Sequence, residues 1–254
     1  MLRLWPETLQ AGLFSGGCWL RRGAADLLMP EVTRLESADS DLLVSLAAML
    51  AAHAPTLRKG SRIDVLVSDS VAMLAVLPWQ EQLSTPSELH GYALACFEQQ
   101  SIELTDGWTL QTAFRHHRAA GLAYAVRTDW ISQLLVILQT ADLSLRSVLP
   151  ISAAAYLRHR PPSPNKPSTL LLSEAKRITA LSYGGRCLHS VDVEPLTTGA
   201  GAGLRLVKRL AASSGLASQV SLWDAGKGEL GADVSTWLPD VELAVLPRDC
   251  WSHD

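Results

Sequence analysis

Apolar and polar positions along this chain fall into short blocks whose period switches between two and about 3.6 residues. Leu42, Leu43, Leu46, Ala47 and Leu50 recur at helical spacing, which predicts an amphipathic helix from Leu42 to His53. Ile63 to Ser68 and Ala72 to Leu77 are apolar runs that read as two strands joined around Asp69-Ser70. Thr85-Pro86-Ser87-Glu88 combines an N-cap threonine, a proline at the first helical position and a glutamate at the capping-box position. The helix it starts carries Leu89, Ala93, Cys96 and Phe97 on one stripe and is expected to end near Gln100. Strands are predicted at Trp108 to Phe114 and Gly121 to Val126, split by the turn Arg115-His116-His117-Arg118. A helix from Asp129 to Thr140, a strand from Leu143 to Leu149 and a short helix from Ile151 to His159 complete this part.

Arg160-Pro161-Pro162-Ser163-Pro164-Asn165-Lys166-Pro167 can neither pair in a sheet nor continue a helix. It divides the chain into a first lobe over 1–160, a linker over 161–167 and a second lobe over 168–254. The second lobe reads as strands at Thr169 to Leu172, Ile178 to Tyr183 and Cys187 to Val193, followed by a helix at Leu204 to Ser213. A strand at Gln219 to Trp223, a helix at Ala232 to Trp237 and a strand at Val241 to Leu246 follow. A three-strand meander followed by alternating helix and strand is the order of the ribonuclease-H-like half of an actin-type fold. The N-terminus echoes it. Residues 4–20 and 172–188 each read as a strand, a turn with a glutamate, a second strand ending in an aromatic, a Gly-Gly pair and a third strand. The echo predicts a duplicated α/β fold; its competitor is an unrelated α+β protein in which two hairpins agree by chance.

Composition narrows the function classes. The chain has 254 residues, 48% hydrophobic and 19% charged, enough apolar surface for a sizeable core. A net charge of −3 gives no electrostatic case for binding nucleic acid or an anionic membrane. Cys18, Cys96, Cys187 and Cys250 are far apart and form no C-x-x-C pair, so they read as reduced thiols with no metal centre. The richest apolar run, Trp130 to Leu138, is far short of the ~20 residues a membrane span needs. Arg3, Pro6 and Glu7 occupy the place of a signal peptide's apolar stretch, so a cytoplasmic protein is expected.

Three segments carry a family resemblance. Val65-Leu66-Val67-Ser68-Asp69 through Val76-Leu77-Pro78, with a helix ending Phe97-Glu98-Gln99-Gln100, resembles the start of GspL cytoplasmic regions and PilM-like proteins. Ala123-Tyr124-Ala125-Val126 followed by Trp130-Ile131-Ser132-Gln133-Leu134-Leu135 resembles their next strand and helix, and Asp142 to Pro150 the strand after it. With the meander opening at Thr169, the resemblance covers most of residues 62–246 in order. It implies an actin-like, cytoplasmic, non-catalytic scaffold of a bacterial type IV pilus or type II secretion platform. Such a scaffold docks an inner-membrane assembly protein, the assembly ATPase, or both. It would be recruited to the membrane by that partner without inserting itself. The alternative is an actin-fold nucleotide-binding ATPase or kinase-like enzyme with divergent phosphate loops.

An actin-type ATPase needs an acid and glycines in the turn between the first two strands of each half, to hold Mg²⁺ and to let backbone amides reach phosphate. The turns expected here are Trp5-Pro6-Glu7-Thr8 and Ser173-Glu174-Ala175-Lys176. Neither has a glycine, and Glu7 and Glu174 read as exposed turn residues. Gly199-Ala200-Gly201-Ala202-Gly203 before a helix is the best phosphate cradle, yet it lacks both GxGxxG spacing and a P-loop lysine. Adjacent His116 and His117 point to opposite faces and read as a solvated turn rather than a metal pair. Asp69-Ser70 and Asp224-Ala225-Gly226-Lys227-Gly228 read as surface turns, and no G-x-S-x-G is present. Among the eight tryptophans, Trp5, Trp79 and Trp251 fall at element ends, and Trp79 is the candidate anchor for a partner peptide. No catalytic residue, cofactor site or metal site is assigned.

Overall fold

The computed structural model describes residues 7–14, 17–22, 42–161, 165–195, 205, 219–225 and 241–247. Strand β1 (Thr8–Phe14) pairs antiparallel with β2 (Gly17–Arg22) and parallel with β3 (Arg62–Val67). With β7 (Ser144–Pro150) these form a sheet of order β2-β1-β3-β7. A second, antiparallel sheet of order β4-β6-β5 is built from β4 (Ala72–Leu77), β5 (Trp108–Ala113) and β6 (Gly121–Arg127). The third has order β10-β9-β8-β11-β12, from β8 (Ser168–Glu174), β9 (Arg177–Gly184), β10 (Cys187–Pro195), β11 (Gln219–Asp224) and β12 (Glu242–Val245).

Four helices close these sheets: α1 (Leu42–His53), α2 (Pro86–Gln99), α3 (Thr128–Thr140) and α4 (Ile151–Arg158). Leu46 and Leu50 of α1 and Leu134 and Leu138 of α3 pack on Leu9 and Val65 of the first sheet. The second sheet is covered by α2, whose Ala93 and Phe97 meet Ala75, Leu77 and Ala123. The predicted capping box is formed: Thr85 accepts from the Glu88 amide, and the Glu88 carboxylate accepts from the Thr85 amide. A third cluster joins Phe14, Leu66, Ile151, Leu170, Leu181 and Trp223, so the first and third sheets share one apolar core. The Phe14 and Trp223 rings meet edge to face at 5.4 Å between centroids.

At the centre of this shared core lies α4, where Ile151 to Tyr156 are all buried. The run Ser152-Ala153-Ala154-Ala155 presents little side-chain bulk, so the helix backbone fits between β3, β6, β7 and β9. The proline-rich segment follows directly; of it, Pro162, Ser163 and Pro164 lie outside the described residues.

The N-terminal echo requires a correction of phase. By pairing, β1 is the counterpart of β8: each runs antiparallel to the next strand and parallel to a later one. The sequence echo had matched β1 to β9, one strand out. Successive apolar strands of similar length carry the same period-two signal, so an offset of one strand leaves the pattern nearly unchanged. The first hairpin therefore pairs β1 with β2, Phe14 opposite Gly17, and does not turn at Glu7. The strand expected before the turn Trp5-Pro6-Glu7-Thr8 lies outside the described residues, as do the helix at 232–237 and, apart from helical Arg205, the helix at 204–213.

Gly121 opens β6 where any side chain would meet a Phe114 ring carbon at 2.6 Å and the Ala113 carbonyl oxygen at 2.7 Å. The carbonyl belongs to a paired strand and cannot swing away. Gly121→Ala is expected to lower stability by about 1–3 kcal/mol, read as a lower urea midpoint at unchanged slope.

Candidate functional site

Strand β3 belongs to the first sheet and β4 to the second, and the turn Asp69–Val71 between them reaches the third. Its geometry is local in origin. The Ser68 amide donates to the Leu13 carbonyl at 2.8 Å, and the Ser68 hydroxyl accepts from the Ser70 amide at 3.1 Å. This aims the Asp69 side chain at the first turn of α4 rather than at solvent. Pro150, at the N-cap of α4, has no side-chain acceptor to offer. Asp69 takes that role from another element: its carboxylate accepts from the Ser152 amide at 3.1 Å and from the Ser152 hydroxyl.

The β8–β9 hairpin closes the other side. Thr179 donates its hydroxyl to the Asp69 carboxylate at 3.1 Å, and Arg177 donates to the Asp69 carbonyl oxygen. The Asp69 amide donates to Glu174 Oε1 at 3.1 Å. Asp69 is 0% exposed and Glu174 is 2% exposed. Two carboxyl groups thus lie buried where the β3–β4 turn meets the β8–β9 hairpin.

Burial raises the pKa of both acids, because a carboxylate loses its hydration there. At Asp69, the two bonds from Ser152, the Thr179 hydroxyl and the nearby Arg177 charge pull it back down. Glu174 has less support. Desolvation first, and then the Asp69 charge, push it up to about 7 against Ser68, the Asp69 amide and Arg177, and among the described residues its Oε2 has no hydrogen-bond partner. Asp69 has the greater hydrogen-bond support of the two, and Glu174 is the member whose titration moves up towards neutrality.

The sequence candidates divide as follows. Glu174 is brought into the junction, and its expected exposure is corrected: the strand it ends is buried along its whole length. Glu7 is excluded from the junction, since it precedes β1 by one residue and its carbonyl accepts from the Arg62 amide at 2.9 Å. Seven residues of extended chain, roughly 23 Å, separate it from the hairpin end. Asp69-Ser70, read as a surface turn, supplies the central carboxylate. No local signal marks it, because its burial comes from α4 and the β8–β9 hairpin, 83 to 110 residues away.

Gly199–Gly203 and Gly226–Gly228 lie outside the described residues, as do Trp5 and Trp251. The Ala225 amide donates to the Ser173 carbonyl at 2.9 Å, tying the end of β11 to β8. His117 packs edge-on against Trp79 at 5.1 Å between centroids; His116 lines the same groove and also an adjoining pocket with Arg115. Among the described residues no group of three or more His, Cys, Asp or Glu side chains is arranged to hold a metal ion.

No protein-family model matches the sequence, and a comparison with curated proteins returns no match. The fold, by contrast, has clear relatives. A Bacteroides thetaiotaomicron protein with an actin-like ATPase fold aligns at TM-score 0.64 and 8% identity, over 94% of this chain and 90% of that one. A chain of the PilM-PilN type IV pilus biogenesis complex aligns at 0.60 and 14% identity, over 96% and 89%. The cytoplasmic domain of EpsL, an inner-membrane component of the Vibrio cholerae type II secretion system, aligns at 0.54 and 12%, over 94% and 85%. The chain has an actin-like fold. Among the described residues no helix is long and apolar enough to cross a membrane.

The protonated Glu174 fixes a pH dependence. Its folded pKa of about 7 lies above the ordinary value of 4.5, so the folded state binds more protons than the unfolded state between those limits. The stability it contributes is complete below about pH 4.5 and is lost as pH rises towards 7. Glu174→Gln keeps an acceptor for the Asp69 amide and removes the titration. Chemical denaturation from pH 5 to 8 is expected to show wild-type stability falling by at most about 3 kcal/mol more than that of the variant.

Proposed function

We propose that this chain is a non-catalytic scaffold of a type IV pilus or type II secretion assembly platform. In this reading it works in the cytoplasm, docks an inner-membrane partner, the assembly ATPase, or both, and is held at the membrane by that partner. The observation that carries the reading is the fate of the acids at the junction. Asp69 accepts three hydrogen bonds from Ser152 and Thr179, and Glu174 turns inward to the Asp69 amide. Carboxylates that organise Mg²⁺ must face solvent and a phosphate, whereas these two close the protein against itself. The β8–β9 turn, Ala175-Lys176, also lacks the glycine that lets backbone amides approach a phosphate. The structural likeness to a PilM-PilN chain and to the EpsL cytoplasmic domain supports the choice of platform at the level of fold.

The competing reading is an actin-fold ATPase or kinase-like enzyme, and one experiment separates the two. Titration calorimetry with ATP and Mg²⁺ is expected to give no binding heat, and millimolar nucleotide no shift in melting temperature. Micromolar binding would overturn the scaffold reading and return attention to residues 199–203.

A further inference from the structure

The β5–β6 loop forms a surface that the acid junction does not use. Phe114 and His117 from this loop stack edge-on with Trp79 at 6.0 and 5.1 Å between centroids. With Leu83, Pro86 and Leu89 they line an open groove of about 520 Å³. Arg115 and His116 are shared with an adjoining pocket of about 230 Å³, whose other walls are Arg160, Pro161 and Arg186. Three guanidinium groups therefore converge at one end of an aromatic groove.

The charge there is uncompensated. The Arg115 guanidinium donates to the Tyr156 carbonyl oxygen at 3.4 Å and to that of His159, not to a carboxylate. Arg160 and Arg186 are exposed, and both repel Arg115. Among the described residues neither forms an ion pair, whereas nearby Arg118 is paired with Glu81 at 3.1 Å. His159 adds no charge: burial, and then Arg115, hold its pKa down to about 4. The loop is also fixed in place. The Arg115 amide donates to the Tyr156 hydroxyl at 3.0 Å, and that hydroxyl donates to the Ala120 carbonyl at 3.0 Å. Like charges held together at rest lose their repulsion when an anion enters, which makes such a site favourable for an acidic partner.

We infer that this surface binds a protein segment in which apolar side chains stand beside acidic ones. The apolar residues fill the Trp79–Phe114 groove and the carboxylates pair with Arg115, Arg160 and Arg186. Continuity of groove and pocket favours a peptide over a small anion, which would use the arginines alone. Bidentate guanidinium–carboxylate pairs suit the second half of the site, and a rigid indole suits the first. The inference names the chemistry of a docking partner and so rests on the scaffold reading. The nucleotide titration does not involve this surface, so the two fail separately.

The test is selection from a random twelve-residue peptide display library on the immobilised full chain, with the Arg160→Glu/Arg186→Glu variant as counter-target. Enriched sequences are expected to combine Asp or Glu with Leu, Phe or Trp. The strongest, made as a fluorescein-labelled peptide, should bind at least tenfold more weakly to the double variant and to Trp79→Ala, and more weakly as NaCl rises. Both arginines are exposed, and removing their repulsion should leave the melting temperature unchanged or raised, which separates lost binding from lost folding. An absence of enrichment, no acidic excess, or equal binding to the double variant would overturn the inference. Displacement of the peptide by inorganic pyrophosphate with no loss on Trp79→Ala would also overturn it, by showing a small-anion site instead.

Discussion

Asp69 is fully buried, and the segments that bond to it come from distant parts of the chain. Ser152 lies 83 residues away, Glu174 105 and Thr179 110. A buried carboxylate without partners costs several kcal/mol, so this group is tolerable only after both α4 and the β8–β9 hairpin have arrived. Its bonds are the polar counterpart of the apolar core around α4, which joins the same elements. Apolar burial is indifferent to small rotations of one sheet against another. Hydrogen bonds to a single buried carboxylate are directional, and they select one arrangement.

The same logic extends from the core to the surface through Tyr156. Its ring is buried in the shared core, yet its hydroxyl reaches the β5–β6 loop at Arg115 and Ala120. The loop that carries Phe114, Arg115 and His116 therefore takes its position from α4. The small side chains of residues 152–155 let that helix approach the sheets closely enough for the contact to form. The shape of the Trp79 groove and the clustering of the arginines thus depend on the packing of a helix with almost no surface of its own.

An actin-like fold does not fix an activity, because unrelated functions are built on one architecture by changing the groups at a few turns. In this chain the decisive turns are Asp69–Val71 and the β8–β9 hairpin. Their carboxyls are spent on protein contacts. Such a pair resists separation of the elements it joins.

Much of the architecture was legible in the sequence. The capping box at Thr85-Pro86-Ser87-Glu88, the apolar stripes of α1 and α2 and the apolar runs of β3 and β4 rest on local pattern, and local pattern determines element type. The order βββ followed by alternating helix and strand was enough to suggest the fold class, because chain connections permit few arrangements of that order. Pairing phase was not legible: β1 and β9 look alike along the chain, and only hydrogen-bond partners distinguish a first strand from a second. Nor was the environment of Asp69 and Glu174. Ser-Asp-Ser and Ser-Glu-Ala-Lys have the composition of surface turns, and burial is a property of what packs over a residue. The sequence by itself determined which segments are helices and strands and which of their faces are apolar. Tertiary structure alone decided that two ordinary turns meet in the interior, because contacts between residues about a hundred positions apart leave no trace in local spacing.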